Sequence, residues 1–217
     1  TLALVLASTE VALGHAVTLG DKGYIQEITG PQVIPFLYLG AKHMVTGYDH
    51  ILFLFGVIFF LYKLKDIAIY VSLFAIGHSA TMLYGVYVGV NVNAYLIDAI
   101  IGLSVVYKAL DNLGAYQRWF GVQPNTKIAT LVFGFFHGFG LAAKIQEYEM
   151  AREGLLPNLL AFNVGVEIGQ LFVVAIVASA LAWIRSRSEV AGARLVFAGS
   201  IIVMLAVFGG LIILAKG

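Results

Sequence analysis

The chain has 217 residues, of which 60% are hydrophobic and 12% charged, with a formal net charge of +1 and a mean hydropathy of +0.92. A soluble domain carries about 25% charged residues, so this composition excludes a water-covered globule, and the near-neutral balance gives no general attraction to nucleic acid. The lack of cysteine excludes disulfides, thiolate metal sites and cysteine nucleophiles together, leaving His, Asp, Glu, Asn and Gln to hold any metal.

The elements point to an all-α integral membrane protein. Residues 1–31 read as an extracytoplasmic N-terminal segment and 32–217 as a single transmembrane helical domain. Leu2 to Ala7 is apolar but too short to span, and Ala12-Leu-Gly14 resembles a small-residue cleavage site. Residues 1–15 are therefore either a signal-peptide remnant or part of the mature chain. Next comes Phe36 to Thr46, which alternates apolar and polar faces and predicts a short interfacial or half-inserted helix, broken near Gly47 from the first membrane span. A crossing needs about 20 mainly apolar residues. Stretches of that kind lie at 48–63, 67–90, 94–110, 127–145, 155–184 and 193–215, which predicts a bundle of about six transmembrane helices. The first is short, and the fifth is long enough to begin in the headgroup region near Pro157 or to tilt.

Basic residues in the loops set the orientation. Lys63, Lys65, Lys108, Arg118, Lys127, Arg185, Arg187 and Arg194 fall on one side; Lys22, Lys42, Lys144, Arg152 and Lys216 fall on the other. The first set places its loops in the cytoplasm and both termini outside, as expected of a bacterial inner-membrane protein.

An ionisable side chain in the hydrocarbon core costs several kcal/mol unless it is paired or faces a cavity, so each is a functional candidate. His78, Asp98, His137 and Glu167 each lie within a predicted span, and His43, Asp49 and His50 stand at the mouth of the first. Counted along their helices, all fall between the outer surface and the midplane, although neighbouring spans run in opposite directions. His43 and His50, seven residues apart, share a face if the helix continues through Gly47. Asn163, Glu167 and Gln170, at i, i+4 and i+7, form one stripe. Imidazole and carboxylate together suit Zn²⁺, Ni²⁺, Fe²⁺ or Mn²⁺. Singly, each residue has a plainer explanation: a lone His or Glu as an interhelical hydrogen-bonding group, Asp49 as a helix N-cap. Agreement in depth is what favours a shared site.

Gly47-Tyr-Asp-His50 followed by Leu52-Phe53, Gly77-His-Ser79 with Thr81, His137-Gly-Phe-Gly140 and Asn163-Val-Gly-Val-Glu-Ile-Gly-Gln170 together resemble the HupE/UreJ family of hydrogenase and urease accessory membrane proteins, which includes nickel permeases. The resemblance covers about residues 36–215. It implies His43, Asp49, His50, His78, His137 and Glu167 as metal positions, with Asp98, Asn163 and Gln170 in support; Ser79, beside His78, is a further supporting candidate. Asp98 stands where that pattern carries a Glu. Met44 follows His43 where nickel-uptake members carry a His-Pro signature, which makes the chain similar to a second branch of the family.

Three functions fit these residues. The first is a permease for a divalent transition metal, nickel or zinc, captured outside by His43, Asp49 and His50 and passed to His78, His137 and Glu167, with proton exchange driving release. The spans carry no comparable ladder of ligands towards the cytoplasm; Lys108 and Asp111 lie near that end, where they suit an interface anchor equally well. The second is a zinc-type intramembrane hydrolase, in which Glu167 or Asp49 would be the general base and Ser79 would orient substrate. The third is a metal-binding structural subunit of a larger membrane complex. Expected partners are the lipid bilayer, the metal ion, and other membrane proteins or further copies of the chain.

Overall fold

A computed structural model describes residues 29–61, 63–146, 152–187 and 198. The predicted N-terminal segment, most of the loop after residue 146 and the stretch 193–215 lie outside the described residues or almost wholly so. Within them the chain is helical: α1 Val33–Thr46, α2 Tyr48–Ile58, α3 Leu64–Val88, α4 Ala94–Asn112, α5 Ala115–Phe120, α6 Thr126–Gln146 and α7 Leu155–Arg187.

The helix ends follow from local chemistry. Asn93 caps α4, its side chain accepting from Leu96 N, and the Asn125 side chain accepts from the first amides of α6. Gly89 closes α3 in the left-handed region, φ 74°, where a Cβ would be strained. Pro157 sits in the first turn of α7, where its missing N–H costs nothing. Asn158 then ties that turn to the start of α1, accepting from Gln32 N at 2.6 Å and donating to Gly30 O at 3.1 Å.

Among the described residues three helices, α3, α6 and α7, are long and apolar enough to cross a membrane. The predicted break falls at Gly47, which has extended backbone between α1 and α2. At 14 and 11 residues, neither reaches across about 30 Å of hydrocarbon at about 1.5 Å per residue. The distribution of side chains is that of a membrane protein. Leu171 and Phe172 are 62% and 58% exposed on α7, while four histidines are buried inside.

Two helix pairs dominate the packing, α3 with α6 and α1 with α7. Glycines allow both. A Cβ at Gly77 or Gly134 would meet the facing backbone at 2.5 and 2.6 Å, and one at Gly138 would strike His78 O and Thr81 Oγ1. Gly40 and Gly165 play the same part between α1 and α7, against Phe162 O and Leu37 O. Such small-residue seams replace the hydrophobic drive that lipid does not supply. Thr81 Oγ1 donates to Phe135 O at 2.8 Å across the first seam, and Gln170 Nε2 donates to Val71 O at 3.1 Å, joining α7 to α3.

Candidate metal centre

The four buried histidines come from four helices: His43 from α1, His50 from α2, His78 from α3 and His137 from α6. None is more than 4% exposed. His50 is central. Its ring centroid lies 5.1 Å from His43, 5.6 Å from His78 and 5.1 Å from His137, each pair edge-on. His43, His50 and His78 can each present a ring nitrogen such that all three lie within 4.8 Å of one another. Three converging imidazoles of this kind could hold one metal ion.

Hydrogen bonds prepare two of the rings. His50 Nδ1 lies 3.1 Å from Asp49 Oδ1; an ionised carboxylate only accepts, so the proton sits on Nδ1 and Nε2 keeps its lone pair. His137 Nδ1 lies 2.7 Å from Phe133 O, which fixes the same tautomer by the same argument. A carboxylate or carbonyl behind the imidazole orients the ring and raises its basicity as a ligand. Asp49 is the member nearest to water, its side chain 18% exposed.

Gly47 lets this corner close. A Cβ there would stand 2.9 Å from His50 Nδ1, 3.0 Å from His43 O and 3.3 Å from Asp49 Oδ1. Beneath the histidines lies an aromatic floor. Phe74 is 5.0 Å from His137 and 5.9 Å from His50, Phe53 is 5.6 Å from His137, and Phe53 is 5.4 Å from Phe74 and 5.8 Å from Phe133.

The family model described as HupE / UreJ protein matches residues 19–212. The chain belongs to the HupE/UreJ family. Neither the curated proteins nor the solved structures hold a match to it.

In this HupE/UreJ chain the other predicted site residues are distributed unevenly. Glu167 is exposed on the outward side of α7, not among the histidines, which differs from the expected ligand set. Asn163 and Gln170, its neighbours in the expected stripe, are buried at 5% and 1%. Both side-chain atoms of Asn163, and Gln170 Oε1, lack a hydrogen-bond partner among the described residues. Asp98 is partly buried with Oδ1 turned inward, and Ser79 is partly buried with its hydroxyl enclosed and without a hydrogen-bond partner among the described residues. Neither belongs to the converging group. Sequence reasoning missed the aromatic floor, because phenylalanines in an apolar span carry no signal that separates packing from a wall. It also underrated Lys108 and Asp111, which are buried together at 7% each.

Proposed function

We propose that this protein is a permease for a divalent transition-metal ion, with six membrane crossings, both termini extracytoplasmic, in a bacterial inner membrane. The observation that carries the reading is the convergence of His43, His50 and His78 in a buried group whose ring nitrogens lie within 4.8 Å. Neutral imidazoles suit borderline ions such as Ni²⁺ and Zn²⁺, and the resemblance to nickel permeases makes Ni²⁺ the first to test. Asp49, reaching partly into solvent, would attract the ion and orient His50. His43 and His50 would take it, with His78 and His137 next inward. Protonation of any of these rings removes the lone pair that binds metal, so proton exchange can drive release.

Transport is favoured over intramembrane hydrolysis by the carboxylates. Glu167, one candidate base, faces outward, and Asp49, the other, is engaged with His50. The test is equilibrium dialysis of the purified protein with ⁶³Ni²⁺ and ⁶⁵Zn²⁺, followed by uptake into proteoliposomes. Wild type is expected to bind and accumulate the ion, His50→Ala to lose both, and Glu167→Gln to retain binding. Binding without uptake would turn the reading towards a fixed metal site, and no binding at all would remove it.

A further inference from the structure

The inner end of the bundle holds a second polar site that the histidine cluster does not explain. A cavity of about 310 Å³ is lined by Tyr70, Lys108, Asp111, Asn112, Gln123 and Thr126 together with apolar residues of the α2 end. Within it the Asp111 carboxylate collects three donors. Lys108 Nζ lies 2.5 Å from Oδ2, Thr126 Oγ1 lies 3.2 Å from the same oxygen, and Gln123 Nε2 bonds to Oδ1. Asn112 Nδ2 donates to Gly56 O at 2.8 Å. Gly56 also makes room for the lysine stem, since a Cβ there would stand 3.1 Å from Lys108 Cγ.

Position matters as much as content. Three helices connect this cavity to the histidines, and all give the same direction. Val57 follows His50 on α2, Tyr70 precedes His78 on α3, and Thr126 precedes His137 on α6. At about 1.5 Å per residue these separations are roughly 10, 12 and 16 Å. The Phe53, Phe74 and Phe133 rings lie between. The order along the molecule is therefore histidine cluster, aromatic plug, oxygen-rich cavity.

We propose that this cavity is a second cation site, the exit station for the divalent ion bound by the histidines, and that Lys108 fills it with its own ammonium when no ion is present. The proposal rests on the permease reading for its direction of travel. An ion leaving the cluster past the plug next meets Asp111, a buried carboxylate already surrounded by hydroxyl and amide groups. Lys108 is one turn earlier on the same helix. Its ammonium is a compact charge on a flexible stem, so it can swing aside without any helix moving. Rotation of the Gln123 amide would then turn its oxygen towards the ion. One carboxylate among neutral oxygens makes a weak site, which suits release. A purely structural ion pair anchoring the helix end makes a different prediction, because it gives no ion a place to bind.

The experiment is ⁵⁷Co²⁺ equilibrium dialysis of the purified full chain, wild type beside Lys108→Met, with folding checked by a monodisperse gel-filtration peak. Lys108→Met is expected to bind about one more ion per chain than wild type at the same free Co²⁺, and Asp111→Asn added to it to abolish the gain. Lys108→Gln, one atom shorter but keeping a polar donor, replaces Lys108→Met if that variant does not fold. The gain must survive in His50→Ala/Lys108→Met, which makes the inner site independent of the cluster. No gain in either Lys108 variant overturns the proposal. A gain in Lys108→Met with no Co²⁺ bound by wild type upholds the inner site while removing the permease reading.

Discussion

Asp49 touches the candidate metal centre without belonging to its converging nitrogens. Its carboxylate holds the Nδ1 proton of His50, so its effect on metal passes through the ring behind which it stands. Asp49→Asn keeps the shape but offers either a carbonyl or an amide N–H to Nδ1, weakening the preference for the ligating tautomer. Loss of such a supporting carboxylate lowers metal affinity by about 10–100-fold. Titration of Asp49→Asn with Ni²⁺ is expected to show a drop in that range with unchanged stoichiometry; wild-type affinity would mean that Asp49 serves only as a helix-start residue. The same scale explains what was legible in the sequence. The common depth of His43, His50, His78 and His137 was readable, because it depends only on counting residues along helices. The facing of Glu167 was not. At about 100° per residue, Glu167 lies only about 40° from Asn163 on the helical wheel, and the edge of the buried face runs between them. Knowing which side of that edge a residue takes requires the neighbouring helices.

At the scale of elements, the histidines meet because glycines let their helices touch. His78 and His137 are carried by α3 and α6, whose seam includes Gly77, Gly134 and Gly138. The Gly138 position is the most sensitive, since any Cβ collides with both His78 O and Thr81 Oγ1. The Thr81 hydroxyl can rotate, but His78 O is backbone and cannot, so the helices must part. Gly138→Ala is expected to destabilise the protein by about 1–3 kcal/mol, the usual cost of overpacking, and to weaken metal binding by moving His78 relative to His50. Thermal unfolding in detergent reads the first effect and Ni²⁺ titration the second. A variant with wild-type values in both would show that the seam is looser than the geometry requires. The glycines beside His78 and His137 stand in the sequence, but the backbone each would meet does not. The seven-residue spacing of His43 and His50 was similarly incomplete. The helix breaks between them at Gly47, and the rings meet at 5.1 Å through the fold of the break, not along a continuous face.

For the whole molecule, uptake requires that the histidine side face outwards and the Lys108–Asp111 side face the cytoplasm. Two features of different physical origin bear on this. Lys63, Lys65, Arg118, Lys127, Arg185 and Arg187, in the connections and helix ends, lie at the same end of the bundle as the inner cavity, and a basic end is retained in the cytoplasm. Arg185 also anchors that end, with Nη1 3.3 Å from Leu61 O and its guanidinium 5.4 Å from the Phe59 ring centre. The chain contains no cysteine, so single thiols can be introduced without background. Asn91, between α3 and α4, and Gln117, on α5, are both exposed and belong to opposite ends. In intact cells a membrane-impermeant maleimide is expected to label Asn91→Cys and to leave Gln117→Cys unlabelled until the membrane is opened. The reverse pattern would place the histidines on the cytoplasmic side. The same two sites would then act in the opposite order, with the Asp111 cavity as the entrance and the imidazoles as the exit. That would be an exporter's arrangement, and the direction of flux would have to reverse with it. Labelling of both positions in intact cells would mean a chain inserted in two orientations, which the modest charge bias between the two ends makes the most informative of the failures.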